Sequence, residues 1–444
     1  MIRVLHTSDW HLGRRFKGLD QIEWQRRALD WLGDLIEREQ VDVLIVAGDV
    51  YDQPRPGASA VRLLNDTLSR LAGTEVNGHP LDIILTPGNH DSAERLGFGA
   101  DVMRRNIHIR YRVEDCAEPV VIRRNDDRLA VYALPYLDPD IARAAARSVS
   151  GGDEPVARSH KAVTAAVLEP IERDLRARRE REPGMASILV AHTFVTGAAS
   201  SDSERSLAVG GVDGVPAVLF TASGFDYLAL GHLHRAQRVA IPSADGEHAP
   251  IARYSGSLLA YSFSEAPSTP KEGNGKSVVL LDVDADGVHH VRTMPVESGQ
   301  PALARLEGTL DELLGPMADA HQDDWVSIVV DYTTYPRGMF QKIDARYPHA
   351  LEKQARCVLE GARTRRTMAD IRTAKDEMDV VSGFVTFMRG APASGEELAV
   401  LRGSVEHVRS TKKRAETHGE DGEHAEDGKT PDGASRATQE GQGR

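Results

Sequence analysis

The chain has 444 residues, of which 41% are hydrophobic and 27% charged, and its formal net charge is −13. This length suffices for two or three domains, and the composition is that of an ordinary globular protein. No stretch contains the ~20 apolar residues that cross a bilayer, and the first residues lack the apolar core of a signal peptide. The only cysteines are Cys116 and Cys357, so we expect no disulfide framework and a cytoplasmic location.

The negative net charge argues mildly against a polyanionic partner. Part of that charge lies in an acidic C-terminal tail, however, and bound divalent metals would offset carboxylates in a site. Local basic groups could still face phosphates, although each is equally compatible with a solvated surface. These groups are Arg14-Arg15 with Lys17, Arg104-Arg105 and Arg123-Arg124.

The first part of the chain alternates strand-like and helix-like segments. Apolar strands are predicted at 2–7, 41–47 and 81–86, and amphipathic helices at 22–39 and 60–71. This order favours a mostly parallel sheet covered by helices. Polar residues follow each strand, where open α/β sheets normally hold ligands.

Later segments continue the pattern. Strands are predicted at 132–134, 187–192, 227–230 and 278–283, and a charged helix at about 156–181. We therefore predict that a main domain occupies residues 1–299.

A smaller module follows the main domain. It is predicted at 300–366 with strands at 302–308 and 324–332, and a helical segment follows at 367–410. Residues 411–444 have almost no apolar side chains and are predicted to be a disordered tail, since they cannot bury enough surface to offset the entropy of ordering.

Residues that can bind a metal follow five of the predicted strands. Residues two apart in an extended chain project to the same side, so Asp9 and His11 could hold one ion together. His232 and His234 are likewise two residues apart. A single D-x-H tripeptide is weak evidence for a metal site, but a series of strands that all end in such residues is hard to explain by chance. The series is Asp9-Trp10-His11, Gly48-Asp49, Gly88-Asn89-His90-Asp91, His192 and Gly231-His232-Leu233-His234.

The types of ligand narrow the choice of metal. Carboxylate, amide oxygen and imidazole together suit Mn²⁺, Fe²⁺ or Zn²⁺. The absence of a cysteine ligand argues against a closed structural zinc site. Histidines outside the series, such as His6 and His108, are interpreted as structural or surface residues.

The motifs D-x-H, G-D-x-x-D, G-N-H-D, H and G-H-x-H, in this order, resemble the calcineurin-like metallophosphoesterase superfamily. The resemblance implies an α/β fold: a β-sandwich of mixed sheets flanked by helices, with a smaller α+β capping domain and C-terminal helices. It also implies two divalent metal ions that activate a water for in-line attack on a phosphoester. By the same resemblance, one metal would be held by Asp9, His11 and His234, the other by Asn89, His192 and His232, and Asp49 would bridge both.

The resemblance assigns His90 a catalytic role apart from the metals. Its imidazole would contact the scissile phosphate and stabilise transition-state charge or protonate the leaving oxygen. Asp91 is expected to orient this imidazole and raise its pKa, and Asp52 to lie just outside the ligands. Helix N-capping is an open alternative for both aspartates.

Longer segments are similar to the D subunits of bacterial SbcCD nucleases and their archaeal and eukaryotic break-repair counterparts. Gln53-Pro54 stands where Ser/Thr phosphatases of the superfamily usually have Arg-Gly, which counts against that branch. The similar segments are His6-Thr7-Ser8-Asp9-Trp10-His11-Leu12-Gly13, Ala47-Gly48-Asp49-Val50-Tyr51-Asp52, the run from Phe225 to His234, and Tyr254-Ser255-Gly256-Ser257.

This second resemblance implies a Mn²⁺-dependent 3′→5′ exonuclease on duplex DNA that also acts as an endonuclease on single strands and hairpins. The implied roles are DNA repair, recombination and replication. The implied partners are DNA, an SbcC-like SMC-family ATPase subunit, and a second copy of the chain, giving a homodimer within a heterotetramer; no membrane is involved. The ATPase would bind the C-terminal helices, whose apolar stripe could alternatively pack on its own domain. The stripe contains Met378, Val381, Phe384, Phe387 and Met388.

Two other functions remain open at this point. The chain could be a phosphoesterase that acts on a small nucleotide diester or a phosphoprotein. It could also be a non-catalytic scaffold that binds DNA ends, although every expected ligand is present. The motifs favour catalysis over the scaffold.

Overall fold

The computed structural model describes residues 1–152, 154–204, 214–243, 249–267, 274–358, 377–389 and 392–417. The chain divides into two compact units. The first comprises Met1–Asp331 and Pro336–Ala355, and the second comprises Tyr332–Tyr335 and Arg356–Arg444. Within the described ranges, no helix is both long and apolar enough to span a membrane.

Two six-stranded mixed sheets form the centre of the first unit. In the first sheet the strands lie in the order β16 (Gly287–Pro295), β15 (Ser277–Asp284), β1 (Ile2–Thr7), β4 (Val43–Ala47), β7 (Asp82–Thr86) and β8 (Ile107–Ile109). In the second sheet the order is β13 (Gln237–Val239), β14 (Ile251–Tyr254), β12 (Tyr227–Gly231), β11 (Ala186–His192), β10 (Asp127–Ala133) and β9 (Val120–Arg124). The central strands of each sheet pair in parallel. The antiparallel strands are β15 and β16 in the first sheet and β9 and β13 in the second sheet.

The two sheets pack face to face, and helices cover their outer faces. Successive side chains of a strand point to opposite faces. In β4, Val43 and Ile45 accordingly belong to the core between the sheets, whereas Leu44 and Val46 pack with Leu32 of the outer layer. Because both faces are buried, such strands are apolar throughout. The helices of this layered domain are α1 (Ile22–Glu39), α2 (Ala58–Leu71), α3 (Ala93–Leu96), α4 (Pro139–Ser150) and α5 (His160–Arg181).

A small α+β region follows the sandwich. Its three-stranded sheet has the order β17 (Leu303–Thr309), β18 (Trp325–Tyr332) and β19 (Ala350–Cys357), with helices α6 (Leu310–Leu314) and α7 (Met339–Arg346). Trp325 packs against Trp24 and Phe16, with ring centroids 5.1 and 5.6 Å apart. This aromatic cluster fastens the small sheet to the sandwich.

The remaining elements are two short hairpins and two C-terminal helices. The hairpins are β2 (Arg15–Phe16) with β3 (Leu19–Asp20) and β5 (Glu75–Val76) with β6 (His79–Pro80). The helices are α8 (Glu377–Arg389) and α9 (Gly395–Thr417). Helix α9 runs beyond position 411, where the tail was predicted to begin, and residues 418–444 of that tail lie outside the described residues.

The predicted fold class, a sandwich of mixed sheets flanked by helices, is confirmed. The parallel sheet predicted for the first part of the chain is confirmed, because β1, β4, β7 and β8 pair in parallel. Strands β10, β11, β12 and β14 form a second sheet, which the strand pattern of the sequence did not indicate. Helix α4 was not predicted, although Asp138 caps it and Pro139 occupies its first turn. The domain limits at residues 299 and 366 stay a prediction, and residues 359–376 lie outside the described part of the chain.

Candidate metal centre

The predicted ligands follow the carboxyl ends of five strands, where the two sheets meet. Asp9 and His11 follow β1, Asp49 follows β4, and Asn89 follows β7. His192 ends β11, and His232 and His234 follow β12. All of them except Asn89 are buried. The structure therefore gathers residues from the whole predicted series at one place.

The backbone of this site adopts an unusual conformation. Side chains disfavour positive φ, and residues held there cluster at functional sites. Hydrogen bonds from the Asp9 amide to Gly48 O (3.0 Å) and from the His11 amide to Asp49 O (2.9 Å) hold the first two loops together. The four predicted ligands with positive φ are Asp9 (54°), His11 (45°), Asp49 (49°) and His232 (106°).

Glycines allow the strand ends to approach each other. A Cβ atom at Gly48 would lie 2.2 Å from Nδ1 of His192, and one at Gly88 would lie 2.1 Å from Oδ1 of Asp49. A Cβ atom at Gly231 would lie 1.7 Å from the carbonyl oxygen of Ala47. Glycine in these motifs is thus required by close packing around the site.

Asp9, His11 and His234 form one group, in which one ligand atom of each lies within 4.8 Å of the others. The Nε2 atoms of His11 and His234 are 2.9 Å apart. Nδ1 of His234 is hydrogen-bonded to Ser203 Oγ at 2.6 Å, which leaves Nε2 for the centre. The grouping is the one expected for the first metal.

A second group contains His192, His232 and Asn89. Nδ1 of His192 donates to the carbonyl oxygen of Ala47 at 2.9 Å, since a carbonyl can only accept. Its Nε2 therefore lacks a proton in the neutral ring and is available as a ligand. This Nε2 and Nδ1 of His232 lie 2.9 and 3.2 Å from Oδ1 of Asn89.

Asp49 lies between the two groups. Its Oδ2 atom is 3.5 Å from Nε2 of His11 and 3.4 Å from Nε2 of His192. Its Oδ1 atom accepts a hydrogen bond of 2.8 Å from the His90 amide. One carboxylate oxygen thus contacts both groups, which is the position a bridging ligand needs.

The electrostatics of these buried groups fit a cation. Burial alone would raise the pKa of Asp49, but His192 and His11 hold it well below its usual range. Burial alone would lower the pKa of His192, but Asp49 and Asp9 raise it to about 9. The carboxylates of Asp49 and Asp9 thus favour positive charge at this place. Converging carboxylate, amide and imidazole atoms of this kind suit a divalent metal.

His90 lies beside the first group, with its ring centroid 4.7 Å from that of His11. Its Nδ1 donates to the carbonyl oxygen of Asp52 at 2.8 Å and is 3.9 Å from the Asp52 carboxylate. Asp91 instead accepts hydrogen bonds from three backbone amides, those of Gly88, Val50 and Tyr51. The expectation that Asp91 orients His90 is therefore wrong, and Asp52 occupies that position.

Four residues near the site were not predicted from the sequence. Ser203 contacts the His234 ring, and Glu204 accepts a hydrogen bond from the His234 amide at 2.8 Å. The buried carboxylate of Glu265 is ion-paired with Lys276 and lies 3.8 Å from Nδ1 of His234. Burial would raise the pKa of Glu265, but Lys276 and His234 hold it far below its usual range. No motif marks these residues.

Residues 2–236 match the family model described as calcineurin-like phosphoesterase. The chain belongs to this family. It is also 33% identical over 335 residues to the D subunit of the nuclease SbcCD of Bacillus subtilis (strain 168), a match that covers 74% of this chain and 79% of that protein. The metallophosphoesterase is accordingly a hydrolase that acts on phosphodiester bonds, and the predicted resemblance is confirmed.

Two solved structures are more distantly similar. GAP50, the anchor in the inner membrane complex of Plasmodium, is 11% identical with a TM-score of 0.38, and the match covers 67% of this chain and 89% of that one. TT1561 of Thermus thermophilus is 12% identical with a TM-score of 0.36, with coverage of 67% and 99%. Neither similarity bears on the substrate of the metallophosphoesterase.

Proposed function

We propose that this metallophosphoesterase is a metal-dependent DNA nuclease that works with an SMC-like ATPase subunit. The observation that carries the proposal is its 33% identity to the D subunit of the SbcCD nuclease. The proposed activities are 3′→5′ exonuclease cleavage of duplex DNA and endonuclease cleavage of single strands and hairpins. The proposed roles are DNA repair, recombination and replication.

The proposed cofactor is a pair of divalent cations, with Mn²⁺ as the expected metal. When bound, the cations would supply positive charge to the phosphate oxygens and acidify a water. The Nδ1 contacts of His192 and His234 support the assignment, because they fix both rings with Nε2 toward the other donors. Asp9, His11 and His234 would hold one cation, Asn89, His192 and His232 would hold the other, and Asp49 would contact both.

The proposed catalytic residue is His90. Because its Nδ1 donates to the Asp52 carbonyl, its Nε2 is the atom left for the substrate. A protonated ring would then donate from Nε2 to a phosphate oxygen or to the leaving oxygen. The hydrogen bond to Asp52 holds the ring in that orientation without using the acidic proton.

The proposed ATPase-binding surface is on α8 and α9. Their described apolar side chains are not buried: Phe384 is 60% exposed and Val400 is 71% exposed. Apolar helix faces of this kind dock to partner proteins. In the proposed assembly two copies of this chain bind two ATPase subunits.

Cleavage assays with two substrates test the proposal. The Mn²⁺-loaded chain, with and without its ATPase partner, is incubated with a blunt DNA duplex and with a small nucleotide diester. We expect products from the duplex. Turnover of the diester without any DNA cleavage, even with the ATPase, would favour a small-molecule phosphoesterase instead.

His90→Ala tests the catalytic assignment separately. We expect DNA cleavage to fall about a hundred- to ten-thousandfold, the usual contribution of a general acid or base. Metal stoichiometry, measured by calorimetry, should stay at that of the wild type. Loss of metal with the activity would instead place His90 among the ligands.

A further inference from the structure

Arg14 lies in a polar cleft of about 340 Å³ next to the candidate metal centre. One wall comes from the sandwich and includes Arg14, Ser203 and Tyr261. The other wall comes from the small sheet and includes Arg305 of β17 and Gln354 of β19. The cleft thus lies where the small sheet faces the metallophosphoesterase sandwich.

The Arg14 guanidinium is held in place by its surroundings. Its central carbon lies 4.9 Å from the centre of the Tyr261 ring, a cation–π contact. Its Nη2 donates to the carbonyl oxygen of Ser203 at 2.6 Å. The Tyr261 ring is itself buried and fixed, because its hydroxyl donates to the carbonyl oxygen of Trp10 at 3.0 Å. The cation therefore rests on a rigid support.

One nitrogen of this guanidinium lacks a hydrogen-bonding partner among the described residues. Nη1 of Arg14 is shielded from solvent and makes no hydrogen bond with any residue that the structure describes. Nε of the same guanidinium is ion-paired with Asp52, whose Oδ1 lies 3.7 Å away. A charged donor that is shielded from water and makes no hydrogen bond destabilises the folded protein. A bound ligand that accepts a hydrogen bond from Nη1 would remove this cost.

Two other cations of the cleft are already paired. Lys17 lies 3.3 Å from Glu352, and Arg305 lies 3.1 Å from Glu307. Among these three cations, only Arg14 has a solvent-shielded nitrogen, Nη1, without a hydrogen bond to any described residue. Its ion partner Asp52 is also 3.5 Å from Nδ1 of His11, so a single carboxylate separates the guanidinium from a proposed metal ligand.

We infer that Arg14 binds a phosphate of a polynucleotide strand next to the phosphate that is cleaved. The inference rests on the proposed nuclease function. Guanidinium groups bind phosphate oxygens through directional hydrogen bonds. A small diester has one phosphate, which the metal centre would take, whereas a polynucleotide carries the neighbouring phosphate as well. Arg14 is thereby a specificity-determining residue for polynucleotides.

The test compares Arg14→Gln with Arg15→Gln in the full Mn²⁺-loaded chain. Arg15 is the matched control, since it carries the same charge, is exposed and is bonded to Gly18 instead. Initial rates are measured on single-stranded oligothymidylate and on bis(p-nitrophenyl) phosphate. For Arg14→Gln we expect kcat/KM on the oligonucleotide to fall about ten- to a hundredfold, as for loss of a charge-assisted hydrogen bond, with less than about a twofold change on the diester.

The salt dependence gives a second readout. For Arg14→Gln the plot of log kcat/KM against log salt should become shallower by about 0.7, as for one lost contact to single-stranded DNA, whereas Arg15→Gln keeps the wild-type slope. Arg14→Lys should restore part of this slope, because it returns the charge. Equal losses on both substrates, or equal behaviour of Arg14→Gln and Arg15→Gln, would overturn the inference alone. A wild type that hydrolyses the diester but no oligonucleotide would overturn the nuclease proposal and the inference with it.

Discussion

Replacing Gly48 with alanine tests how closely the two sheets must approach at the metal centre. The new Cβ would lie 2.2 Å from Nδ1 of His192, whereas ordinary contacts begin at 3.4 Å. The ring must then retreat by about 1.2 Å, the difference between those distances. This shift breaks the hydrogen bond to Ala47 and moves Nε2 away from Asn89.

A misplacement of about 1 Å at an active site can lower the rate about a hundredfold. We expect Gly48→Ala to lose about that much activity on a small phosphodiester and to bind fewer than two metal ions. Gly48 also has a φ of 84°, which alanine disfavours, so the substitution should lower the free energy of unfolding by about 1–2 kcal/mol. Enzyme kinetics, calorimetry with Mn²⁺ and urea denaturation measure these effects separately.

Gly78→Ala is the matched control for the backbone cost. Gly78 has a φ of 78°, and a Cβ there would have no atom within 4 Å. The control should share the loss of stability and keep wild-type activity and metal binding. The reasoning would be refuted if Gly48→Ala were as active as Gly78→Ala at equal stability.

Three further predictions concern stability. Burial lowers the pKa of His6 from 6.5 to about 3. As the pH falls, His6 is therefore protonated first in the unfolded chain, so the free energy of unfolding should fall between pH 6.5 and pH 3. His6→Asn should make this pH dependence shallower in urea titrations carried out in EDTA. Glu265→Gln leaves the buried Lys276 ammonium without its carboxylate and should lower the free energy of unfolding by about 3–5 kcal/mol. The double variant Glu265→Gln with Lys276→Met should recover most of that loss in the same urea titrations. No recovery would mean that the pair is not coupled. Trp325→Ala should cost about 3–5 kcal/mol by thermal denaturation, whereas Tyr335→Ala, at a side chain 56% exposed, should cost little; equal losses would contradict the packing of the aromatic cluster.

The sequence by itself determined several of the local elements and the series of candidate ligands. Helix α1 was predicted at its observed bounds, Ile22–Glu39, because an apolar stripe of helical period is a local property. Strand β4 was recognisable because it is buried on both faces and hence apolar throughout, and β1 because Ile2, Val4 and Leu5 form a short apolar run. Asp9 and Asp49 were found because each stands directly after such a strand.

The tertiary structure decided how those residues meet. His11 and His234 are 223 positions apart, yet their Nε2 atoms lie 2.9 Å from each other. Local periodicity carries no information on that distance, on the partition of strands between two sheets, or on which imidazole nitrogen is already bonded. Hence the sequence proposed Asp91 as the partner of His90, while the fold placed Asp52 there. For the same reason Arg14 and Arg15 are indistinguishable as neighbours in the chain, and only the packing of the small sheet leaves one of them in the cleft.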